Sequence, residues 1–136
     1  MAKKLNLGRA TELKIISMLL NEDREVYLPV VDDHGVDVLV ASKNHNNYQE
    51  LQIKSLSIGG LFTAITFNNP RQNYWFLFYV KQHDSMWLIN SCTFVTIASQ
   101  NSKGKNKGKY SIPLATTKRI GKKFAQYIIT DFSKLP

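Results

Sequence analysis

An uninterrupted apolar and aromatic run, YWFLFYVK from Tyr74 to Lys81, limits the fold more than any other feature of this chain. A run of this kind, without polar alternation, is typical of a central strand that is buried on both faces. Shorter segments with β-branched residues at Glu25–Val31, Val36–Ala41 and Met86–Ile89 predict further strands. The chain is therefore expected to build a sheet around residues 74–81.

Two segments with helical spacing enclose these strands. Asn6–Asn21 repeats apolar residues on one face, and Thr117–Phe132 closes the chain with a second apolar face. Thr93–Ser99 predicts a short third helix, whereas Leu56–Gln72 contains glycine and proline breakers and has no regular pattern. No linker divides the chain, so the pattern predicts one domain over residues 1–136: an α/β sandwich whose mixed central sheet is flanked by an N-terminal and a C-terminal helix.

The charge balance indicates the kind of partner. The 136 residues hold 18 Lys and Arg against 10 Asp and Glu, a net charge of +8, which favours a polyanion. A basic surface that only keeps the protein soluble is the alternative. The single cysteine, Cys92, excludes an intrachain disulfide and fits a reducing compartment. No signal peptide and no apolar stretch of ~20 residues is present, so we expect a cytoplasmic protein with no membrane partner.

A row of polar side chains stands out on the strand Tyr48–Ser55, which follows the polar turn 42–47 and pairs with the preceding strand as a hairpin. Alternation gives Glu50, Gln52 and Lys54 to one face of this strand. That face is either exposed to water and stabilised by cross-strand pairs, or it forms a functional site.

Asp37, on the preceding strand, can join this row. The alternative for Asp37 is a hydrogen bond to a turn. A carboxylate, the amide oxygen of Gln52 and the backbone carbonyl of Ile53 are ligands that suit Mg²⁺ or Mn²⁺. Such an ion lowers the pKa of a bound water, and the Lys54 ammonium can stabilise the charge that develops on a phosphate. This combination predicts hydrolysis of a phosphodiester.

The same residues resemble the PD-(D/E)-x-K nuclease superfamily. Its pattern is a glutamate on the first helix, an aspartate on the second strand and an acid-x-lysine on the third. Here these positions correspond to Glu12, to Asp37 in Gly-Val-Asp, and to Gln52-Ile53-Lys54, with LPVVDDHGVDVLV leading into the aspartate. The resemblance covers about the first 55 residues. It implies a restriction-endonuclease-like fold, of the Holliday-junction-resolvase or homing-endonuclease branch, and an endonuclease that requires Mg²⁺ or Mn²⁺.

One departure from that pattern concerns the metal site. Gln52 stands where the superfamily usually has an acid, which removes one negative charge; some active branches also carry glutamine there. Glu50, on the same face, is the alternative acid, although it lies about 6–7 Å further along the strand. Glu12 has an alternative too, as a solvated residue at the border of its helix.

A basic segment follows the third predicted helix. NSKGKNKGKY, residues 101–110, alternates lysine with glycine and asparagine and has no apolar residue to pack it on the core. It predicts a flexible loop that contacts phosphates or, alternatively, a surface loop without a partner. Its lysines are Lys103, Lys105, Lys107 and Lys109.

The remaining metal-binding or reactive side chains form no further motif. His34, His45 and His83 lack zinc-ligand spacing, although His34 lies close to the candidate site. Asp32 and Asp33 are typical turn residues. Cys92 has no evident base partner and is expected to be a small buried residue.

Three classes of function follow from these patterns. The first is a metal-dependent endonuclease acting on duplex or branched DNA, with Asp37, Gln52, Lys54 and Glu12 as catalytic residues. RNA stays open as a substrate, and cutting both strands with one site per chain favours a homodimer. The second is a nucleic-acid-binding protein on the same fold that has lost catalysis. The third is a structural subunit whose charge serves solubility.

Overall fold

The computed structural model describes residues 2–31, 35–66 and 69–136, the side chains of residues 2–5 and of Ala64 excepted. Two α-helices and nine strands lie within these ranges. In chain order they are α1 (Ala2–Asn21), β1 (Val26–Tyr27), β2 (Val38–Ala41), β3 (Tyr48–Leu56), β4 (Gly60–Ile65), β5 (Tyr74–Val80), β6 (Ser85–Asn90), α2 (Ser91–Ile97), β7 (Ser99–Gln100), β8 (Tyr110–Ala115) and β9 (Ile128–Ile129).

The main sheet has six strands in the order β1-β2-β3-β5-β6-β9. Strands β3 and β5 are parallel, and every other neighbouring pair in this sheet is antiparallel. The mixed sheet and the antiparallel pairing of β2 with β3 confirm the sequence prediction. Strand β5 lies in the middle and all of its residues except Trp75 are buried, as the apolar run indicated.

Two layers cover the main sheet. Helix α1 lies on one face, where its buried Ile15 and Leu19 share a core with Leu51 of β3. The opposite face is covered by a second, antiparallel sheet of order β4-β8-β7, whose Phe62 and Ile112 belong to the other core. The chain thus connects the parallel strands β3 and β5 through a strand of the second sheet instead of through a helix.

The predicted C-terminal helix at Thr117–Phe132 is wrong. This segment forms a turn, a short 3₁₀ helix at Ala125–Tyr127 and the edge strand β9. Phe124 packs in the core beneath the second sheet, whereas Phe132 packs in the core beneath α1. A straight helix cannot reach both faces, so the chain passes around the edge of the main sheet.

Arg24 holds the C-terminus in place. It is 8% exposed and donates hydrogen bonds to the carbonyl oxygens of Ala41 (3.2 Å), Leu135 (3.0 Å) and Pro136. Burial lowers the pKa of its guanidinium. These bonds hold the last residues in a turn over the α1 face, where Phe132 and Leu135 are buried.

Smaller differences concern other boundaries. The strand expected at Glu25–Val31 is limited to β1, and the region without a pattern at Leu56–Gln72 contains β4. Helix α1 begins at Ala2 instead of Asn6, and α2 replaces the helix expected at Thr93–Ser99. Strand β8 had not been predicted. Neither helix of the described part combines the length and apolarity that crossing a bilayer demands.

Candidate active site

The polar row on β3 lies beside the core instead of within it. In the parallel pairing, Gln52 and Lys54 stand next to Phe76 and Phe78 of β5. Neighbouring residues in register point to the same face, so the row shares the face that the second sheet covers. Glu50, Gln52 and Lys54 are half-buried. The face is therefore partly shielded from water but still open to a ligand.

Asp37 lies where β2 stops pairing regularly with β3. Its backbone amide donates to the carbonyl of Leu51 at 2.8 Å, and its carboxylate oxygen Oδ2 accepts the amide of Ile53 at 2.7 Å. In a regular β-sheet a backbone carbonyl of the neighbouring strand would accept this amide, and here the Asp37 carboxylate accepts it instead. A side chain held in this way is fixed against the middle of β3, next to Gln52.

The carbonyl of Ile53 lies at the same edge. The amide of Glu50 bonds Asn73 on the β5 side, whereas the amide of Ile53 bonds Asp37 on the β2 side. The amide and carbonyl of one strand residue point to the same edge. The Ile53 carbonyl thus faces the β2 side, beyond the last paired residue of β2, Val38.

Tyr74 connects Gln52 to the segment that precedes Asp37. Its hydroxyl lies 2.8 Å from Oε1 of Gln52 and 3.0 Å from the carbonyl oxygen of Gly35. A phenol carries one hydrogen and therefore donates to one acceptor at a time. Both contacts are satisfied when Tyr74 donates to Gly35 and the Gln52 amide is turned so that its NH₂ donates to the phenol oxygen. That orientation directs the amide oxygen of Gln52 away from Tyr74.

Gly35 is required at this point for two reasons. Its φ of +71° lies in the left-handed region that glycine adopts readily. A Cβ at this position would lie 3.1 Å from Nε2 of Gln52 and 3.2 Å from the Tyr74 hydroxyl. A larger residue would therefore push Gln52 or Tyr74 out of position.

Glu50 belongs to a separate ion pair. Arg71 donates to its two carboxylate oxygens from Nε (3.1 Å) and Nη2 (2.6 Å), and this hydrogen bonding raises the pKa of Arg71. The same guanidinium lies 4.4 Å from the ring centre of Tyr74. Glu50 is thus engaged with Arg71, which makes it a poor substitute for the acid that Gln52 replaces.

Lys54 and Glu12 differ in their surroundings. Lys54 makes no hydrogen bond or ion pair with any other described residue, so its ammonium is available to a ligand. Glu12 pairs with Arg9 of its own helix at 3.1 Å. Helix α1 packs on the face of β3 opposite to Gln52, and no contact of a described residue joins Glu12 to Asp37 or Lys54. A role for Glu12 in the site stays a prediction.

The other side chains singled out in the sequence add no described contact to this group. Asp32, Asp33 and His34 fall outside the described residues. Within the described ranges, no three His, Cys, Asp or Glu side chains cluster as a metal site of their own. Cys92 is half-buried.

The basic segment is an ordered hairpin loop between β7 and β8. Asn101 donates to the carbonyl of Lys109 at 2.9 Å and accepts from Gly108 at 2.8 Å. Gly104 and Gly108 have positive φ angles of 76° and 85°, which the turn requires. The loop is therefore more structured than the sequence indicated, and three of its lysines are exposed: Lys103, Lys105 and Lys107.

The sequence does not predict three residues that contact the site. These are Arg71, Tyr74 and Gly35, the last of which lies against Gln52. The apolar run that Tyr74 begins predicts a place in the core or in a dimer interface for this side chain. Only the parallel register of β3 and β5, which places Tyr74 beside Glu50, reveals its second role. No sequence pattern specifies that register.

No protein-family model and no curated protein matches this chain. Among solved structures, it is similar to a bacterial homing endonuclease, I-Ssp6803I, with a TM-score of 0.60 and 15% sequence identity over 89% of this chain and 85% of that one. At this identity the likeness shows a common fold. The α/β fold predicted from the sequence is thus confirmed, and it is a fold that an endonuclease also adopts. Membership of the PD-(D/E)-x-K superfamily stays a prediction.

Proposed function

We propose that the protein is a metal-dependent endonuclease that hydrolyses phosphodiester bonds in DNA. The observation that carries the proposal is the carboxylate of Asp37 bound to the Ile53 amide, in the middle of a Gln52-Ile53-Lys54 sequence. The likeness to a homing endonuclease supports the choice of DNA as the substrate.

The oxygen atoms around Asp37 suit Mg²⁺ or Mn²⁺. A carboxylate from Asp37, an amide oxygen from Gln52 and the Ile53 carbonyl would hold the ion, and hard divalent cations prefer such oxygen ligands. Bound there, the ion would acidify a water and neutralise charge on the phosphate. The donor set carries one negative charge instead of the two that an acid at position 52 would give.

Three side chains of the chain itself prepare the reaction. Lys54 brings a positive charge into a half-buried setting, where it stabilises negative charge more strongly than it would in water. Tyr74 acts as a positioning residue, because its hydroxyl fixes the amide of Gln52. Asp37 holds its own position through the Ile53 amide. Glu12 completes the proposed set of catalytic residues as an assisting carboxylate.

Substrate binding is assigned to the lysines of the hairpin loop, which contact phosphates of duplex or branched DNA: Lys103, Lys105, Lys107 and Lys109. RNA is the alternative polyanion. A homodimer would supply the two sites that a double-strand cut needs.

A second candidate is a nucleic-acid-binding protein without catalysis. The amide at position 52 favours it, since a site with one carboxylate binds a divalent cation more weakly than a site with two. Cleavage of DNA separates the two functions.

The test is a plasmid-cleavage assay across a Mg²⁺ and Mn²⁺ titration. We expect nicking or linearisation by the wild-type protein, and a loss of at least about 100-fold in rate for Asp37→Ala, because the nucleophilic water is no longer acidified or placed. DNA binding by the variant should equal or exceed that of the wild type, since a negative charge near the phosphate is removed. Asp131→Ala, on the exposed C-terminal segment, serves as the control. Absence of cleavage with both metals refutes the nuclease, and salt-dependent DNA binding would then favour the binding protein over a structural subunit.

A further inference from the structure

The positive charge of the chain is concentrated in one segment. Residues 85–130, between Asp84 and Asp131, contain eight Lys and Arg and no Asp or Glu. The rest of the chain contains ten Lys and Arg and ten Asp and Glu. The whole excess of +8 therefore belongs to residues 85–130, which include α2, two of the three strands of the second sheet (β7 and β8) and the turn after β8.

These eight cations form two groups at opposite ends of β8. One group is the hairpin loop 101–109, which precedes β8. The other is the turn 116–123, which follows it and carries four exposed cations. A strand of six residues spans about 20 Å. The cations of the turn are Lys118, Arg119, Lys122 and Lys123.

The turn 116–123 contacts the segment that follows β3. Gln82 accepts the amide of Gly59 at 2.9 Å and donates to the carbonyl of Thr117 at 2.8 Å. A Cβ on Gly59 would collide with the carbonyl of Thr116, so the two backbones touch. Gly59 follows the end of β3, the strand that carries Lys54. The turn is thereby fixed at the Lys54 end of the polar row.

None of the eight cations forms an ion pair with a described residue. Within the described residues, the ion pairs involve only Arg9, Lys14 and Arg71 among the cations. Uncompensated charge on two ordered turns destabilises the free protein slightly through repulsion, and a polyanion would relieve that repulsion.

We infer that the turn 116–123 is a second phosphate-binding element, and that duplex DNA lies across the second sheet between it and the loop 101–109. This inference takes its partner from the proposed function. About 20 Å of duplex carries roughly 12 phosphates, enough to meet both groups at once. As a consequence, the loop 101–109 and the turn 116–123 together set the affinity for DNA.

The test measures duplex binding in EDTA, where no cleavage is possible, at several salt concentrations. Each phosphate contact contributes about 0.9 to the slope of log K against log salt. Replacing the four cations of the turn with glutamine should reduce that slope by up to about 3.6, as should replacing the four lysines of the loop. The control removes four exposed cations from outside both turns: Lys14, Lys43, Lys81 and Lys134.

The inference holds if the turn and loop variants each reduce the slope well beyond the control. It fails if the turn variant keeps the wild-type slope, or if the control loses as much as the turn. Tighter binding of an RNA duplex of equal length overturns DNA as the partner. Since binding is measured without metal, an inactive wild-type protein would refute the proposed nuclease without affecting this result.

Discussion

Removing a single oxygen at Tyr74 tests how the site is organised. Tyr74→Phe keeps the buried ring, its contact with Phe76 and the Arg71 guanidinium above it, so no cavity forms. It removes the hydroxyl that touches Gln52 at 2.8 Å and Gly35 at 3.0 Å. A net hydrogen bond is worth about 0.5–1.5 kcal/mol, and a buried group left without a partner costs about 1–3 kcal/mol.

We expect Tyr74→Phe to lower the free energy of unfolding by about 1–2 kcal/mol, because Gly35 and Gln52 are half-buried and water replaces part of the lost bonding. In urea, the midpoint should fall while the m-value stays constant. The rate of cleavage should also fall at unchanged DNA affinity, because the amide of Gln52 is no longer oriented.

The matched control is Tyr48→Phe, which removes the same atom from a tyrosine that is 52% exposed. It should leave stability and cleavage close to wild type. If Tyr74→Phe is as stable and as active as Tyr48→Phe, the hydroxyl neither supports Gly35 nor positions Gln52, and the reasoning is refuted.

Two further predictions concern position 52 and alkaline pH. Gln52→Glu should retain cleavage and lower the Mg²⁺ concentration for half-maximal rate, because a second carboxylate strengthens cation binding; an unchanged Mg²⁺ dependence would remove Gln52 from the metal site. Burial, followed by the hydrogen bond to Asp84, raises the pKa of Tyr79 from 10.0 to about 12. The stability that this shift contributes is complete below pH 10 and is lost as pH rises through about 12, so Tyr79→Phe should flatten the alkaline decline of the unfolding free energy. An unaltered decline in the variant would contradict this.

The sequence was most informative where the periodicity was strong. The run at Tyr74–Lys81, the hairpin of β2 and β3 and the helix before them all appear in the structure, because each is specified by local pattern and burial. The C-terminal segment could not be predicted in this way. Its apolar residues match helical spacing, but Phe124 and Phe132 are buried on opposite faces of the sheet, which is a tertiary constraint.

The residues of the candidate site also differ in how far the sequence predicts them. Asp37 and the polar row could be found from alternation on two strands. Tyr74 and Arg71 could not, because they reach the row only through the parallel pairing of β3 with β5, which the chain makes after passing through β4. Pairings of that kind depend on the whole topology.

The central claim is that Asp37, Gln52 and Ile53 hold a divalent cation that serves hydrolysis. The most direct measurement is a calorimetric titration of Mn²⁺ into the wild-type protein, Asp37→Ala and Lys54→Ala. The account predicts one ion bound per wild-type chain, loss of that binding in Asp37→Ala, and its retention in Lys54→Ala, whose ammonium acts on the phosphate instead of the metal. No binding by the wild type, or equal binding by Asp37→Ala, would contradict it.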